Sequence, residues 1–209
     1  MGELTRDQVL QKVRKNEKLE RADLRGLDLS KAALSGAMLS RADIEGANLE
    51  AAVLRKVNLK NASLREAYLA GADLQEANLE NADLEGAKLD RANLAGANLA
   101  RANLDGASLV GANLSGARLP LAQMSTVNLT GADLRNAVFT NANLEDASLG
   151  GVKAAQADFS NANLRGATMA EGDFSRASFA SAILAGAKLA KAKLGGALLT
   201  KADLGGADL

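Results

Sequence analysis

Carboxylates are the side chains in this sequence best suited to chemistry, and they recur at short, regular intervals: Asp73, Asp83, Glu85 and Asp105 stand among 25 acidic residues. Side-chain catalysis needs a positioned base, nucleophile or metal, set in a concave pocket. His and Cys are both absent, which removes the commonest general base and the commonest zinc ligands. The recurring Leu-Xaa-Gly-Ala is turn punctuation and not a glycine loop opening a helix, so no phosphate cradle is expected. The residues therefore point away from an enzyme, with no cofactor, no metal and no small-molecule substrate.

Binding is the remaining route. The 25 basic and 25 acidic residues cancel, so no overall field draws nucleic acid or an anionic membrane. Charge is unevenly placed. Residues 1–60 carry 12 basic and 9 acidic side chains, residues 61–150 carry 6 and 11, and residues 151–209 carry 7 and 5. The acidic middle, with Glu66, Asp73, Glu76, Glu80, Asp83, Glu85 and Asp90, could steer a basic surface of a protein partner. Tyr68, the sole tyrosine, and the apolar Leu121 have the residue types of interface anchors. The candidate partner-binding residues are Tyr68, Glu76, Glu80, Asp83, Glu85 and Leu121.

What must position these side chains is a repeat. From Ala72-Asp73-Leu74-Gln75-Glu76 through Ala77-Asn78-Leu79-Glu80-Asn81 and onward, the pattern returns every five residues without a slip. Taking the large central residue as i, there are 38 such positions from Leu24 to Leu209, and only Ala154 lacks a large apolar side chain. At i−2, 33 of the 38 are Ala, the exceptions being Leu27, Val57, Val127, Val152 and Gly172. A period of five matches neither the helix nor the simple strand. A backbone that turns a corner every five residues does keep i and i−2 inside, with i−1, i+1 and i+2 outside. Carboxylates then lie on flat outer faces.

The repeat A(D/N)LXX resembles that of the pentapeptide repeat proteins over about nine tenths of the chain. The resemblance implies an all-β fold, a right-handed quadrilateral parallel β-helix with twenty residues per coil, hence about nine and a half coils and a rod roughly 45 Å long. With twenty residues per coil, Phe139, Phe159 and Phe179 stack inside the rod, and Phe174 lies one coil above Ala154, with Gly172 making room for its ring. One corner column carries Gly26, Gly46, Gly86, Gly106, Gly166, Gly186 and Gly206, while another carries Arg41, Asn61, Asn81, Arg101, Leu121, Asn141, Asn161, Ser181 and Lys201. The glycines predict type II turns down the first and mostly other turns down the second. Pro120 cannot donate a hydrogen bond, so the pairing is expected to loosen there.

The chain divides into a capping helix and lead-in segment, 1–18, and a repeat unit, 19–209. Leu4 to Lys15 reads as a short helix with Thr5 as N-cap, Gln8 reaching back to it, and Leu4 packing on Val9 as a staple. Leu4, Val9, Leu10 and Val13 share the inner side, with Arg6, Lys12, Arg14 and Lys15 facing water. At the other end the bare coil at Ala207-Asp208-Leu209 offers unpaired backbone groups. Either a second copy docks there through Leu199, Leu204 and Leu209, giving a homodimer, or further sequence follows. Without a signal peptide or an apolar span, a cytoplasmic protein is expected, with export by a signal-less route left open. The block Leu4-Thr5-Arg6-Asp7-Gln8-Val9-Leu10 through Leu19-Glu20-Arg21-Ala22-Asp23-Leu24 resembles the lead-in segment of bacterial pentapeptide proteins found with type VI secretion components. That likeness implies a non-enzymatic bacterial scaffold binding another protein through rigid faces. The alternative that the family implies is a DNA-mimicking modulator of DNA gyrase or topoisomerase; an engineered repeat with no evolved ligand is a third.

Overall fold

Backbone pairing follows the twenty-residue arithmetic throughout. In the computed structural model, which describes residues 4–209, every paired rung joins a residue at i−1 to the one twenty further on, in parallel, from Asp23 with Asp43 to Lys188 with Asp208. Each rung is fixed by repeated bonds between coils: Leu74 N–H donates to Asn93 C=O at 2.7 Å, Glu76 N–H to Ala95 C=O at 3.0 Å, and Asn93 N–H to Ala72 C=O at 2.9 Å. A fourth bond closes each corner, as from Ala77 N–H to Leu74 C=O at 3.0 Å. Four such corners per coil make the right-handed quadrilateral β-helix.

The interior is a Leu/Ala column sealed from solvent. Leu, Ile, Met and Phe at i and Ala at i−2 are buried from Leu24 to Leu189, and the buried set holds no polar or charged side chain among the described residues. Two inward side chains per face must share a narrow bore, so one has to be small. The phenylalanine ladder forms as expected: Phe139, Phe159 and Phe179 stack with centroids 4.9 and 5.2 Å apart and planes within 5°. Phe174 meets Phe159 edge-on at 6.1 Å. A Cβ at residue 172 would sit 2.5 Å from the Phe174 ring, so that slot takes Gly.

The corners depart from expectation. Every i+2 residue from Arg21 to Gly206 has a positive φ, including Arg101 (58°), Leu121 (61°), Ser181 (58°) and Lys201 (60°). With the i-to-i+3 bond and a negative φ at i+1, all four columns follow the type II pattern; glycine lowers the cost of this turn without selecting it. Four interlocking ladders dictate one geometry at each corner, and local preference yields to them. The ladder also passes through Pro120 unbroken. Leu119 N–H donates to Val138 C=O at 2.7 Å, Leu121 N–H to Thr140 C=O at 3.0 Å, and Pro120 C=O accepts from Arg101 N–H at 2.9 Å. The ladder never uses the i+1 N–H, and Pro is favoured at the second residue of such a turn. The irregular corner is instead at Val152, whose N–H, alone among the described corners, does not reach the C=O three residues back.

Helix α1 spans Arg6–Arg14. Its capping box is complete, with Thr5 N–H donating to Gln8 Oε1 at 2.9 Å and Gln8 N–H to Thr5 Oγ1 at 3.4 Å. Val9 is fully buried, and Leu4, Leu10 and Val13 pack on the same core. Arg6 does not face water as expected. Its guanidinium donates to the carbonyls of Asp28 and Ser30 at 2.9 and 2.8 Å, two acceptors that elsewhere in the rod would be used by a preceding coil. No helix is long and apolar enough to cross a membrane among the described residues.

Candidate interaction faces

With the core closed, the side chains available for chemistry stand on four outer faces, and most are tied down there. The Asp or Asn at i−1 accepts from the N–H two residues on, an Asx bond: Glu50 N–H to Asn48 Oδ1 at 3.0 Å, Asp105 N–H to Asn103 Oδ1 at 3.1 Å, Ser115 N–H to Asn113 Oδ1 at 3.0 Å. This uses the i+1 N–H that the ladder leaves free. The Asn amides then donate between coils, Asn93 to Asp73 at 3.0 Å, Asn113 to Asn93 at 3.1 Å and Asn163 to Asn143 at 2.9 Å. The D/N preference of the repeat thus serves the backbone, by satisfying the i+1 N–H. The signal for this role in the sequence is the Asp or Asn recurring at i−1.

The predicted acidic residues do not converge. Glu76 pairs with Lys56 at 3.4 Å, Glu80 with Lys60 at 2.9 Å, and Asp83 and Glu85 both with Arg65, the former at 3.2 Å. Each cation comes from the coil before. Glu80 and Glu85 stand at successive corners with Asp83 on the face between them, Glu76 sits at the corner before, and Tyr68 lies on another face, in a rung between Asn48 and Lys88. Tyr68 is half-exposed and borders a depression of about 320 Å³ lined also by Glu66, Gly86 and Lys88. Leu121 is likewise half-exposed at a corner, at 45%. Exposed ion pairs of this kind contribute about 0–1 kcal/mol each, so their consequence is local neutralisation of the acidic middle rather than stability.

Several carboxyls titrate low for stated reasons. Arg25 and its own N–H hold Asp23 down to about 2. Asp28 is lowered by the Ser30 backbone and side chain and by Arg6. Asp133 is lowered by Arg135, and Asp173 by Ser175. No group of three or more His, Cys, Asp or Glu side chains is placed to hold a metal among the described residues. At the far end of the rod, Leu199 and Leu204 are partly buried and Leu209 is 71% exposed. The N–H groups of Leu194, Leu199 and Leu204 find no partner among the described residues.

The model of the pentapeptide repeats matches in eight copies over residues 18–55, 52–91, 87–125, 121–153, 157–196 and 184–209. Among solved structures, HetL, a pentapeptide repeat protein involved in heterocyst differentiation regulation from the cyanobacterium Nostoc sp. strain PCC 7120, is 37% identical over 98% of this chain and 96% of its own, with a TM-score of 0.44. QnrB1, a plasmid-mediated fluoroquinolone resistance protein, is 18% identical over 90% of this chain and 89% of its own, with a TM-score of 0.58, and shares the fold. No curated protein matches the sequence. With its five-residue register matched almost from end to end, the chain belongs to the pentapeptide repeat family.

Proposed function

We propose that this chain is a non-enzymatic scaffold that binds another protein through its rigid outer faces. One observation carries the reading: the buried set is wholly apolar among the described residues, so each side chain able to recognise anything stands on an outer face, held in register by ladder and Asx bonds. Faces that are ordered before binding lose little conformational entropy on association. A bacterial protein associated with type VI secretion is the finer form of the proposal. It is supported by the lead-in block, whose Thr5 cap and Arg6 anchor fasten α1 to the first coil. Affinity capture with the 209-residue chain from a bacterial lysate is expected to enrich secretion-spike components; recovery of the bait alone overturns it.

In the same reading, two copies pair through the coil bearing Leu199, Leu204 and Leu209. Light scattering is expected to give twice the mass of the chain, and a monomer mass at 50 μM protein, a concentration of about the order at which weak pairs form, overturns the pairing. The gyrase-modulator reading has less support. Its structural relative shares 18% identity, and the acidic coils present carboxylates already paired with Lys56, Lys60 and Arg65 instead of a continuous anionic stripe. Unchanged supercoiling by gyrase, with and without a quinolone, is the expected result.

A further inference from the structure

On the face that ends at Leu121, the charge pattern of the middle coils reverses. Between Glu80 and Asp158 the outward slots of that face hold only two charged residues, Arg101 and Arg118, although residues 61–150 carry 11 acidic against 6 basic side chains. Both guanidiniums are exposed and neither makes an ion pair or a side-chain hydrogen bond among the described residues. They adjoin an apolar step. Arg101 N–H bonds to Pro120 C=O, Leu121 N–H bonds to Thr140 C=O, and Arg118 shares a rung with Val138. Pro120 lies between Arg118 and Leu121 in one coil, and Leu121 stands one coil above Arg101, so Pro120 and Leu121 form an apolar step beside both cations, with Val138 one coil above Arg118. Leu121 also holds a positive φ (61°) that a branched side chain adopts at a cost.

We propose that this patch is the docking site for an acidic segment of a partner protein that carries an aliphatic side chain between its carboxylates. The inference rests on the scaffold reading above and names the partner chemistry for one face. The argument is charge complementarity. Arg meets a carboxylate through two parallel N–H donors, and the apolar step beside the two arginines gives the intervening side chain a place to leave water. Carboxylates of the middle coils that make no ion pair among the described residues, Asp90, Asp105, Glu145 and Asp146, repel an acidic partner there, confining it to this face by exclusion as well as attraction. A nucleic acid is the weaker occupant, because the patch holds no aromatic ring for base stacking and the acidic coils beside it repel a polyphosphate.

The test uses the full chain and a fluorescein-labelled twelve-residue peptide of repeated Asp-Asp-Leu, read by anisotropy. Controls are the same peptide with Ser for Leu and a labelled twenty-nucleotide single-stranded DNA. Replacing both arginines by Glu (R101E with R118E) is expected to weaken Asp-Asp-Leu binding by about tenfold or more, and Leu121→Ser by about threefold to tenfold. Arg91→Glu, on another corner, leaves it unchanged. Thermal melts of the variants check that the fold survives, which is expected because the substituted side chains are exposed. Equal binding by the parent chain and the R101E/R118E variant overturns the proposal, as does tighter binding of the DNA or absence of peptide binding. A photo-crosslinking residue placed at 121 and, separately, at 88 keeps the two readings apart in a lysate. Crosslinks to protein from 88 and none from 121 sink the patch and leave the scaffold; none from either position sinks the scaffold itself.

Discussion

At the scale of single residues, Gly172 and Phe174 are coupled by contact. A Cβ at 172 would lie 2.5 Å from one Phe174 ring carbon and 3.0 Å from another, and the ring already packs edge-on against Phe159 and tilted against Phe179. Gly172→Ala is therefore expected to destabilise the rod by about 1–3 kcal/mol. Phe174→Leu in the same chain should recover part of that loss, because the smaller side chain vacates the collision. A urea double-mutant cycle measures the coupling, and additive effects would contradict it. The corners give a prediction of opposite sign. Gln156 holds φ at 61°, where a side chain costs roughly 1–2 kcal/mol, while Gly loses about 0.5–1 kcal/mol in chain entropy. Gln156→Gly should thus raise stability by about 0.5–1 kcal/mol, read as a higher urea midpoint at unchanged slope. A lower midpoint would show that the ladder, not the side chain, bears the cost.

Among elements, α1 shows how a solenoid ends. Its nine residues are too few to persist alone in water, and it is held by the Thr5–Gln8 capping box, by burial of Val9 and by Arg6 on the carbonyls of Asp28 and Ser30. Arg6 thus does for two open acceptors of the first coil what an earlier coil would do. Arg6→Met keeps much of the aliphatic stem and removes the donors. It should cost about 1–3 kcal/mol locally and raise amide exchange in residues 6–14 while leaving exchange at Leu94 and Leu99 as it was. Uniform exchange along the rod would mean that the helix contributes nothing specific to the end it covers. A Thr5→Ala change removes the cap, at about 1 kcal/mol, and should loosen the same residues.

Over the whole molecule, the lowered carboxyls make stability depend on pH in acid. Asp23 sits at about 2 against an ordinary 3.8, and Asp28, Asp133 and Asp173 are also lowered. A depressed carboxyl contributes stability that is whole above its unfolded pKa and is lost as pH falls through its folded pKa. For Asp23 that window runs from about pH 4 down to about pH 2. With no His or Cys, no side chain has its ordinary titration between pH 5 and 8. Melting temperatures by circular dichroism should be flat from pH 5 to 8 and fall progressively below pH 4. A rise on acidification would show that repulsion among carboxylates outweighs their hydrogen bonds.

The Leu/Ala interior and the capping box were legible in the sequence, because a strict five-residue register with small residues at i−2 leaves one way to bury both; the twenty-residue stacking, and with it the Phe139–Phe159–Phe179 ladder, was legible through the family resemblance and not through spacing alone. The corner conformations, the unbroken ladder at Pro120, the anchoring of Arg6 and the pairing of Glu76, Glu80, Asp83 and Glu85 with the preceding coil were decided only by the tertiary structure. Those features join groups about twenty residues apart, as Arg6 joins Asp28 and Ser30 and Lys60 joins Glu80. A hydrogen bond or ion pair between coils has no counterpart in local propensity, so only the stacked rod could reveal it.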